Sequence, residues 1–427
     1  MGKEVLIWGA GKIGRGFVAE IFSQGGYDLT FVDASKELVE ELNQAGSYPV
    51  VKAPTATEPE TIEIGGYEAF HLSETEAIDT LLARVPYVAV VLFPDVFADF
   101  ARDIARGLER RANAGQEPLD LILCANVSGA AGTLSPLIRE QLSAEARGYF
   151  DERVGLVETV IIRIGVPTPH RFEHLGPLAV TTNGFPYMPV SRPAFRGAVP
   201  NLPMLRPIDN IEAEETRKYF TYNMVHAVYA YAGFMRGHET VLEAAADPLI
   251  EGEAKGALEE ASRALQAEYG FTKEEMEQWS REVFANLQNP LIEDTLARVG
   301  RDPRRKLRRG ERLVGPALLC KKHGVFPHYL TKAIARAFFF NPPGDEGAEV
   351  VRGLLRKEGV FGALTELGEL DRDPEIAALA KDHLERLQQD PDAEEDPERL
   401  ALRRKAYETG FGQEILLEED ALGNGSP

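Results

Sequence analysis

In the first part of the chain, mainly apolar runs at 5–8, 87–93, 119–124 and 154–164 alternate with stretches whose apolar positions recur every three or four residues. The runs read as strands buried on both faces, and the stretches at 74–84, 95–113 and 129–142 as amphipathic helices. Alternation of this kind predicts a parallel, doubly wound sheet, in which ligands lie beyond the carboxyl ends of the strands. Residues 47–72 follow a different rule. Tyr48, Val50, Ile62 and Ile64 alternate with polar neighbours around Pro54 and Pro59, which predicts a small strand pair decorating that sheet. Over 165–200 Pro and Gly are frequent, with strand-like pieces at 178–182 and 187–190.

From residue 211 onward the helical period takes over, at 211–235, 238–246, 248–268, 272–286, 290–298, 312–322, 328–339, 345–357, 360–367 and 373–388. The change of character falls in FRGAVPNLPMLRP, residues 195–207. A sheet domain over 1–200, a helical bundle over 201–390 and an acidic, partly mobile tail over 391–427 are therefore expected. The tail carries Asp392 and the acids at 394–396 and 418–420.

The opening stretch adds chemistry to the sheet. It reads EVLIWGAGKIGRGFVAEIFSQGGYDLTFVD, a strand, a glycine turn, a helix (Ile13, Phe17, Val18, Ile21) and a second strand ending at Asp33. Gly9 permits a tight turn, Gly11 lets a pyrophosphate approach the backbone of Ala10, Lys12 and Ile13, and Gly14 lets the helix pack on the strand. Free N–H groups at the helix start would hold the phosphates. Asp33 would accept from the ribose hydroxyls and repel a 2′-phosphate, so NAD is expected rather than NADP. The fold class expected is α/β, a Rossmann-like doubly wound sheet followed by a mainly α-helical domain. Asn126, just past the end of one strand, stands where cofactor and substrate would meet.

Charge and cysteine content narrow the setting. A net charge of −21 argues against nucleic acid or an anionic membrane as the main partner, leaving a small molecule. No apolar run reaches the roughly 18 residues of a membrane span, and the first strand starts too early for a secretion signal. Cys124 and Cys320 read as reduced, packed thiols of a cytoplasmic protein, and no Cys/His spacing suggests a metal.

The first helix of the second domain carries Glu215, Lys218, Asn223 and His226. On one continuous helix, with Lys218 at zero, they project at about 60°, 0°, 140° and 80°, a single wedge. Oxidation of an alcohol needs a base for the hydroxyl proton and donors for the developing oxygen charge. Lys218 is the candidate base, Asn223 and Asn126 the donors, and His226 a ligand of the reacting oxygen or a neighbouring hydroxyl. An amphipathic helix with its polar stripe in water has the same spacing.

With these motifs the chain resembles the long-chain polyol-specific dehydrogenases, the mannitol dehydrogenase family, and within it the mannitol-1-phosphate 5-dehydrogenases. The likeness lies in GAGKIGRGF, LTFVD, FRGAVPNLP, the K-x4-N-x2-H of Lys218, Asn223 and His226, GHET at 237–240 and NPLIEDTLARVGRDPRRKL at 289–307. The resemblance implies a metal-independent, NAD-linked oxidoreductase. It casts Lys218 as general acid–base and Asn223 and Asn126 as the oxyanion hole. Two positions depart from the family's pattern: Cys-Glu-Asn appears as Cys124-Ala125-Asn126, and V-D-R-I as Ile161-Ile162-Arg163-Ile164.

The segment RDPRRKLRRGER, 301–312, is basic in an acidic protein. Arg305 and Lys306 are expected to touch substrate, as a phosphate site would require, and Arg308, Arg309 and Arg312 to lie at the surface. The expected reaction interconverts mannitol 1-phosphate and fructose 6-phosphate. A hexuronate reductase, an unphosphorylated polyol dehydrogenase and a non-catalytic NAD sensor are the alternatives, and a monomer or small homo-oligomer is compatible with all of them.

Overall fold

The computed structural model describes residues 3–54, 58–166, 168–291 and 294–409. The chain divides into two compact units, Met1–Glu215 and Thr216–Pro427. The first contains the strands β1 (Glu4–Trp8), β2 (Asp28–Asp33), β3 (Ser47–Lys52), β4 (Glu60–Gly65), β5 (Tyr67–His71) and β6 (Tyr87–Val90). It continues with β7 (Leu119–Leu123), β8 (Val154–Glu158), β9 (Gly165–Val166), β10 (Val180–Thr182), β11 (Met188–Ser191) and β12 (Leu205–Ile208).

The main sheet is parallel throughout, in the order β5-β2-β1-β6-β7-β8, with Ile7 paired to Phe31 on one side and Ala89 on the other. Successive residues of β1 feed opposite cores. Val5 and Ile7 pack with Phe17, Ile21 and Phe31, while Leu6 and Trp8 pack with Val88, Phe97 and Phe100. Helices cover both faces, which is why Val5–Trp8 of β1 and the whole of β6 are apolar without alternation. The expected α/β class and doubly wound sheet are what the fold shows.

Four details differ from the sequence reading. β5 is not part of a decorating pair; it joins the main sheet beside β2, while β3 and β4 pair with each other in a second sheet of order β4-β3-β10-β9. The run at 154–164 stays in the sheet only as far as Glu158, because Thr159 bridges to Val190 and the Arg163 side chain is drawn into the protein. A helix at Ala144–Arg153 buries only Ala146 and Phe150, too few for a periodic signal, and owes its start to the Ser143 hydroxyl accepting from the Ala146 N–H. β12 pairs with β11, so the segment 195–207 read as the boundary lies within the first unit.

The helix after the glycine turn opens with a π-helical turn, Gly14–Val18, before the α-helix Ala19–Gln24. The carbonyls of Arg15 and Gly16 accept from the Tyr48 hydroxyl (3.0 Å) and from Arg163 (3.3 Å). Arg163 also pairs with Glu20, both side chains 1% exposed, and its guanidinium lies 4.4 Å from the Phe17 ring. Lys52 of β3 reaches Glu20 at 2.9 Å, tying the second sheet to the same helix.

The expected helix over 211–235 is two, Ile211–Phe220, within which the first unit ends, and Tyr222–Met235 of the second unit, separated at Thr221 (φ −122°, ψ −76°). The Thr221 hydroxyl donates to the Arg217 carbonyl (2.5 Å) and accepts from the Trp279 indole (2.6 Å). The remaining helices are Val241–Ala246, Pro248–Tyr269, Lys273–Leu287, Leu296–Gly300, Pro303–Lys306, Val314–Lys322, His328–Ala337, Glu346–Gly368, Pro374–Gln389 and Pro397–Glu408. Within Glu346–Gly368 the backbone leaves the helical region at Gly359 (φ +67°, ψ −179°), so the two helices read at 345–357 and 360–367 are present as two, joined at that kink.

Part of the expected tail is built in. Pro397–Glu408 is a helix capped by Asp396, and Glu395, 1% exposed, pairs with Arg403 (2.8 Å) and Arg399 (3.4 Å). Asp392 pairs with Arg236, and the acids at 418–420 lie outside the described residues. Both cysteines are buried thiols. Among the described residues no helix is long and apolar enough to cross a membrane.

Replacing Glu20 with Leu strands the buried Arg163 guanidinium and should cost about 3–5 kcal/mol in urea unfolding, while Glu20→Leu with Arg163→Met should recover most of that loss. Equal midpoints for wild type and the single variant would show that the pair fixes nothing.

Candidate active site

The glycine turn is held from three directions. The Gly9 N–H donates to the Val32 carbonyl (2.8 Å), and Gly9 sits at φ +109° with Val91 backbone where a Cβ would be. At Gly14 a Cβ would collide with the Gly9 carbonyl, so the helix start lies directly against the turn. Asp33 accepts from the Ala10 N–H at Oδ2 (2.7 Å) and from the Ser35 N–H at Oδ1 (2.8 Å). Buried Arg15 donates to the carbonyls of Ala10 and Leu178, each at 2.7 Å, closing the turn from below.

These residues fit a dinucleotide. A Cβ at Gly11 would meet nothing within 4 Å, leaving open space over the turn for a pyrophosphate. Lys12 is exposed beside it, its amine pushed down by partial burial and by Arg15, whereas Ile13 packs into the core. Each Asp33 oxygen retains a second lone pair for a ribose hydroxyl. Asn126 is exposed just beyond the carboxyl end of β7.

The second unit carries Lys218 on Ile211–Phe220 and Asn223 and His226 on Tyr222–Met235. The break at Thr221 falls between Lys218 and Asn223, so the single wedge expected for one continuous helix does not apply across it. Asn223 and His226 do share a helix, three residues apart and hence about 60° apart around it.

His226 is set by residues the sequence reading did not single out. Its Nε2 lies 3.7 Å from Asp294 Oδ2, and Asp294 is gripped by Arg298, whose Nε donates at 2.5 Å. Burial pushes the imidazole down to about 4 despite the opposing Asp294 carboxylate, with Arg298, Arg312 and Lys306 adding to the fall. His226 is thus a neutral ring. Asp294 reaches it because 294–296 pairs with 239–241: the Val241 N–H donates to the Asp294 carbonyl and Leu296 to that of Glu239, each 2.9 Å, around a Thr240–Thr295 bridge. Both strips lie in the family-like segments GHET and NPLIEDT, the available signal for Asp294 and Arg298.

The basic segment forms the short helix Pro303–Lys306. Lys306 is buried, donates to the Arg301 carbonyl, and is pushed down to about 7 by burial and by Arg312 and Arg305. Arg305 pairs with Glu311 (3.0 Å) and Asp302 (3.8 Å). Arg312 lies 5.1 Å from the Tyr219 ring. His238 donates from Nε2 to Asp247 (3.1 Å), itself held by Arg236 (2.7 Å). At the two departures from the family pattern, Ala125 and Ile162 are both buried. Among the described residues no group of three or more His, Cys, Asp or Glu could hold a metal.

A dinucleotide-fitted sheet unit followed by a helical unit bearing lysine, asparagine and a neutral histidine is the plan of a two-domain dehydrogenase. The chain belongs to the mannitol dehydrogenase family: residues 3–204 match the mannitol dehydrogenase Rossmann domain and residues 210–388 the mannitol dehydrogenase C-terminal domain. The fold is similar to that of Pseudomonas fluorescens mannitol 2-dehydrogenase, solved as a ternary complex with NAD and D-mannitol, with a TM-score of 0.71 and 15% identity over 92% of this chain and 93% of that one. It is also similar to a D-sorbitol dehydrogenase in substrate-free form, with a TM-score of 0.79 and 14% identity over 92% of this chain and 94% of that one.

Because its folded value is depressed to about 4, His226 contributes stability that is present at neutral pH and fades as the pH falls from the usual imidazole range through about 4. An NMR titration assigned with a His226→Gln variant should show no inflection of this ring between about pH 5 and 8. A midpoint near 6.5 would contradict the buried, neutral ring.

Proposed function

We propose that this chain reversibly oxidises a secondary alcohol of a sugar alcohol to a ketone with NAD, and that its substrate pair is mannitol 1-phosphate and fructose 6-phosphate. Membership of the family across both units, with Lys218, Asn223 and His226 in its motif, is the observation that carries the reading. Lys218 takes the hydroxyl proton at Nζ, and Asn126 and Asn223 donate side-chain N–H groups to the developing alkoxide. His226, being neutral, can donate from one nitrogen and accept at the other, which suits a hydroxyl-bearing substrate. The nicotinamide ring, when bound, accepts the hydride. Asp33 selects against a 2′-phosphate on the cofactor.

The phosphate in this reading rests on local charge. Arg298, Lys306 and Arg312 all act on His226, and Arg305 and Arg312 act on Lys306, in a chain of net charge −21. Pairing of Arg305 with Glu311 and Asp302 favours a second reading, a free polyol, because that guanidinium is already answered.

Turnover followed by NADH absorbance separates the two. Lys218→Ala should lose about 10²–10⁴-fold in kcat while still binding NADH. Lys306→Ala should raise KM for mannitol 1-phosphate about tenfold or more, the loss of one charge-assisted contact. Lys306 carries its charge only below about 7, so KM for the phosphate ester should rise as pH climbs through that value, and KM for free mannitol should stay flat. Equal kcat/KM on both substrates, unmoved by Lys306→Ala, would defeat the phosphate reading.

A further inference from the structure

Phe93 is 76% exposed, the most exposed of the large apolar side chains among the described residues, although Phe97 and Phe100 a turn or two later are buried. Fully burying such a side chain is worth about 1.5–3 kcal/mol, so a ligand that covers it gains that contact.

Its position in the fold supplies the occupant. The main sheet runs β5-β2-β1-β6-β7-β8, and the chain reverses its direction of winding between β1 and β6. In open α/β sheets the crevice beyond the carboxyl ends of the strands at that point is where a dinucleotide lies. β1 runs into the glycine turn, and β6 is followed by Val91-Leu92-Phe93. The Val91 N–H donates to the Trp8 carbonyl (2.8 Å), and the Val91 carbonyl fills the space beside Gly9, so this segment is packed on the turn itself. Phe93 is extended (φ −79°, ψ 151°) and is followed at once by Pro94, the first residue of a 3₁₀ turn leading into the helix Phe97–Ala114. Proline at that point restricts the backbone of Phe93 to the extended region. Beyond the end of the neighbouring strand β7, Val127, 40% exposed, follows Asn126. Two apolar side chains thus stand beyond the ends of adjacent strands, next to a turn fitted for a pyrophosphate.

We propose that Phe93 is the aromatic contact of the cofactor, its ring covering the face of one of the planar rings of NAD. The chemistry is that of an offset or edge-on aromatic pair, worth about 0.5–1.5 kcal/mol beyond the area it buries, with a cation–π contribution when the ring is an oxidised nicotinamide. This inference rests on the NAD-linked reading above.

The test is equilibrium binding to the full-length protein, read by the quenching of Trp fluorescence and by calorimetry, with NADH, NAD and ADP-ribose as probes. Phe93→Ala should weaken NADH binding by about tenfold, and Phe93→Tyr should restore it. Unfolding of all variants should coincide with wild type, because the side chain is already in water. A loss shared by ADP-ribose places the contact on the adenine half. A loss confined to NADH and NAD places it on the nicotinamide half, and either outcome supports the proposal. Unchanged NADH affinity in Phe93→Ala overturns it, as does unchanged affinity together with a shift in oligomeric state, which would make the patch a contact between copies. If wild type itself binds no NADH, the NAD-linked reading has failed rather than this one.

Discussion

The closest constraint in the first unit is the contact of Gly14 with the Gly9 carbonyl, which leaves no room for even a methyl group. It brings the first turn of a helix against the end of β1, so the N–H groups of that turn face the crevice. The close fit has a consequence further along. A Cβ at Gly16 would lie 2.6 Å from Val180 and 2.9 Å from Thr182, so the second sheet also presses on the helix. Between these contacts the helix takes a π turn, and its carbonyls at Arg15 and Gly16 take donors from Tyr48 and Arg163. Backbone groups that leave the regular ladder are thereby satisfied, which is the condition for such a turn to persist.

Buried charge plays the same part in both units. Arg163 with Glu20, and Arg336 with Glu253, which also accepts from Lys332 (2.9 Å), are enclosed pairs rather than surface ones. Such pairs add little net stability, because desolvation cancels most of the attraction, but an unpaired member is costly. What they fix is placement. Glu20 sets the second sheet on the nucleotide-side helix, and Arg336 and Arg386 draw the segment after Gln389 onto the bundle, Arg336 through the Pro391 carbonyl and Arg386 through Glu395. Asp294 does the equivalent for His226, with Arg298 holding the carboxylate so that the ring meets it without becoming charged.

Where apolar spacing alone decides, the sequence was legible. The main parallel sheet, the glycine turn and most of the bundle helices follow from burial on two faces or on one stripe. Legibility ended where tertiary contacts outvote periodicity. β5 looks like a partner for β4 because both alternate, yet the buried Tyr67 and Ala69 belong to the core beside β2. Thr221 lies in a continuous helical pattern, and only the Trp279 indole and the Arg217 carbonyl, far apart from one another in spacing, account for the break. The acidic stretch after residue 390 has the composition of a solvated tail, but Arg386, Arg399 and Arg403 around Glu395 cancel that charge locally. At the candidate site the motif residues were visible from their spacing, whereas Asp294 and Arg298 act through a two-residue bridge that no periodicity announces.

The basic segment shows how position changes what a charge can do. Arg305 is half-exposed and engaged by Glu311 and Asp302, so it enters binding only by giving up a carboxylate. Lys306 is buried, faces two guanidinium groups, and is poised near neutrality at about 7. An amine in that condition is a weak site for a neutral hydroxyl but an adaptable one for an anion, because a bound phosphate offsets the repulsion from Arg305 and Arg312 and favours the protonated form. On the phosphorylated reading, substrate binding near neutral pH would therefore be coupled to proton uptake at Lys306, and on the free-polyol reading that coupling would be absent. The two substrates differ at this one amine, through the electrostatics of its surroundings rather than through the hydride-transfer residues they would share.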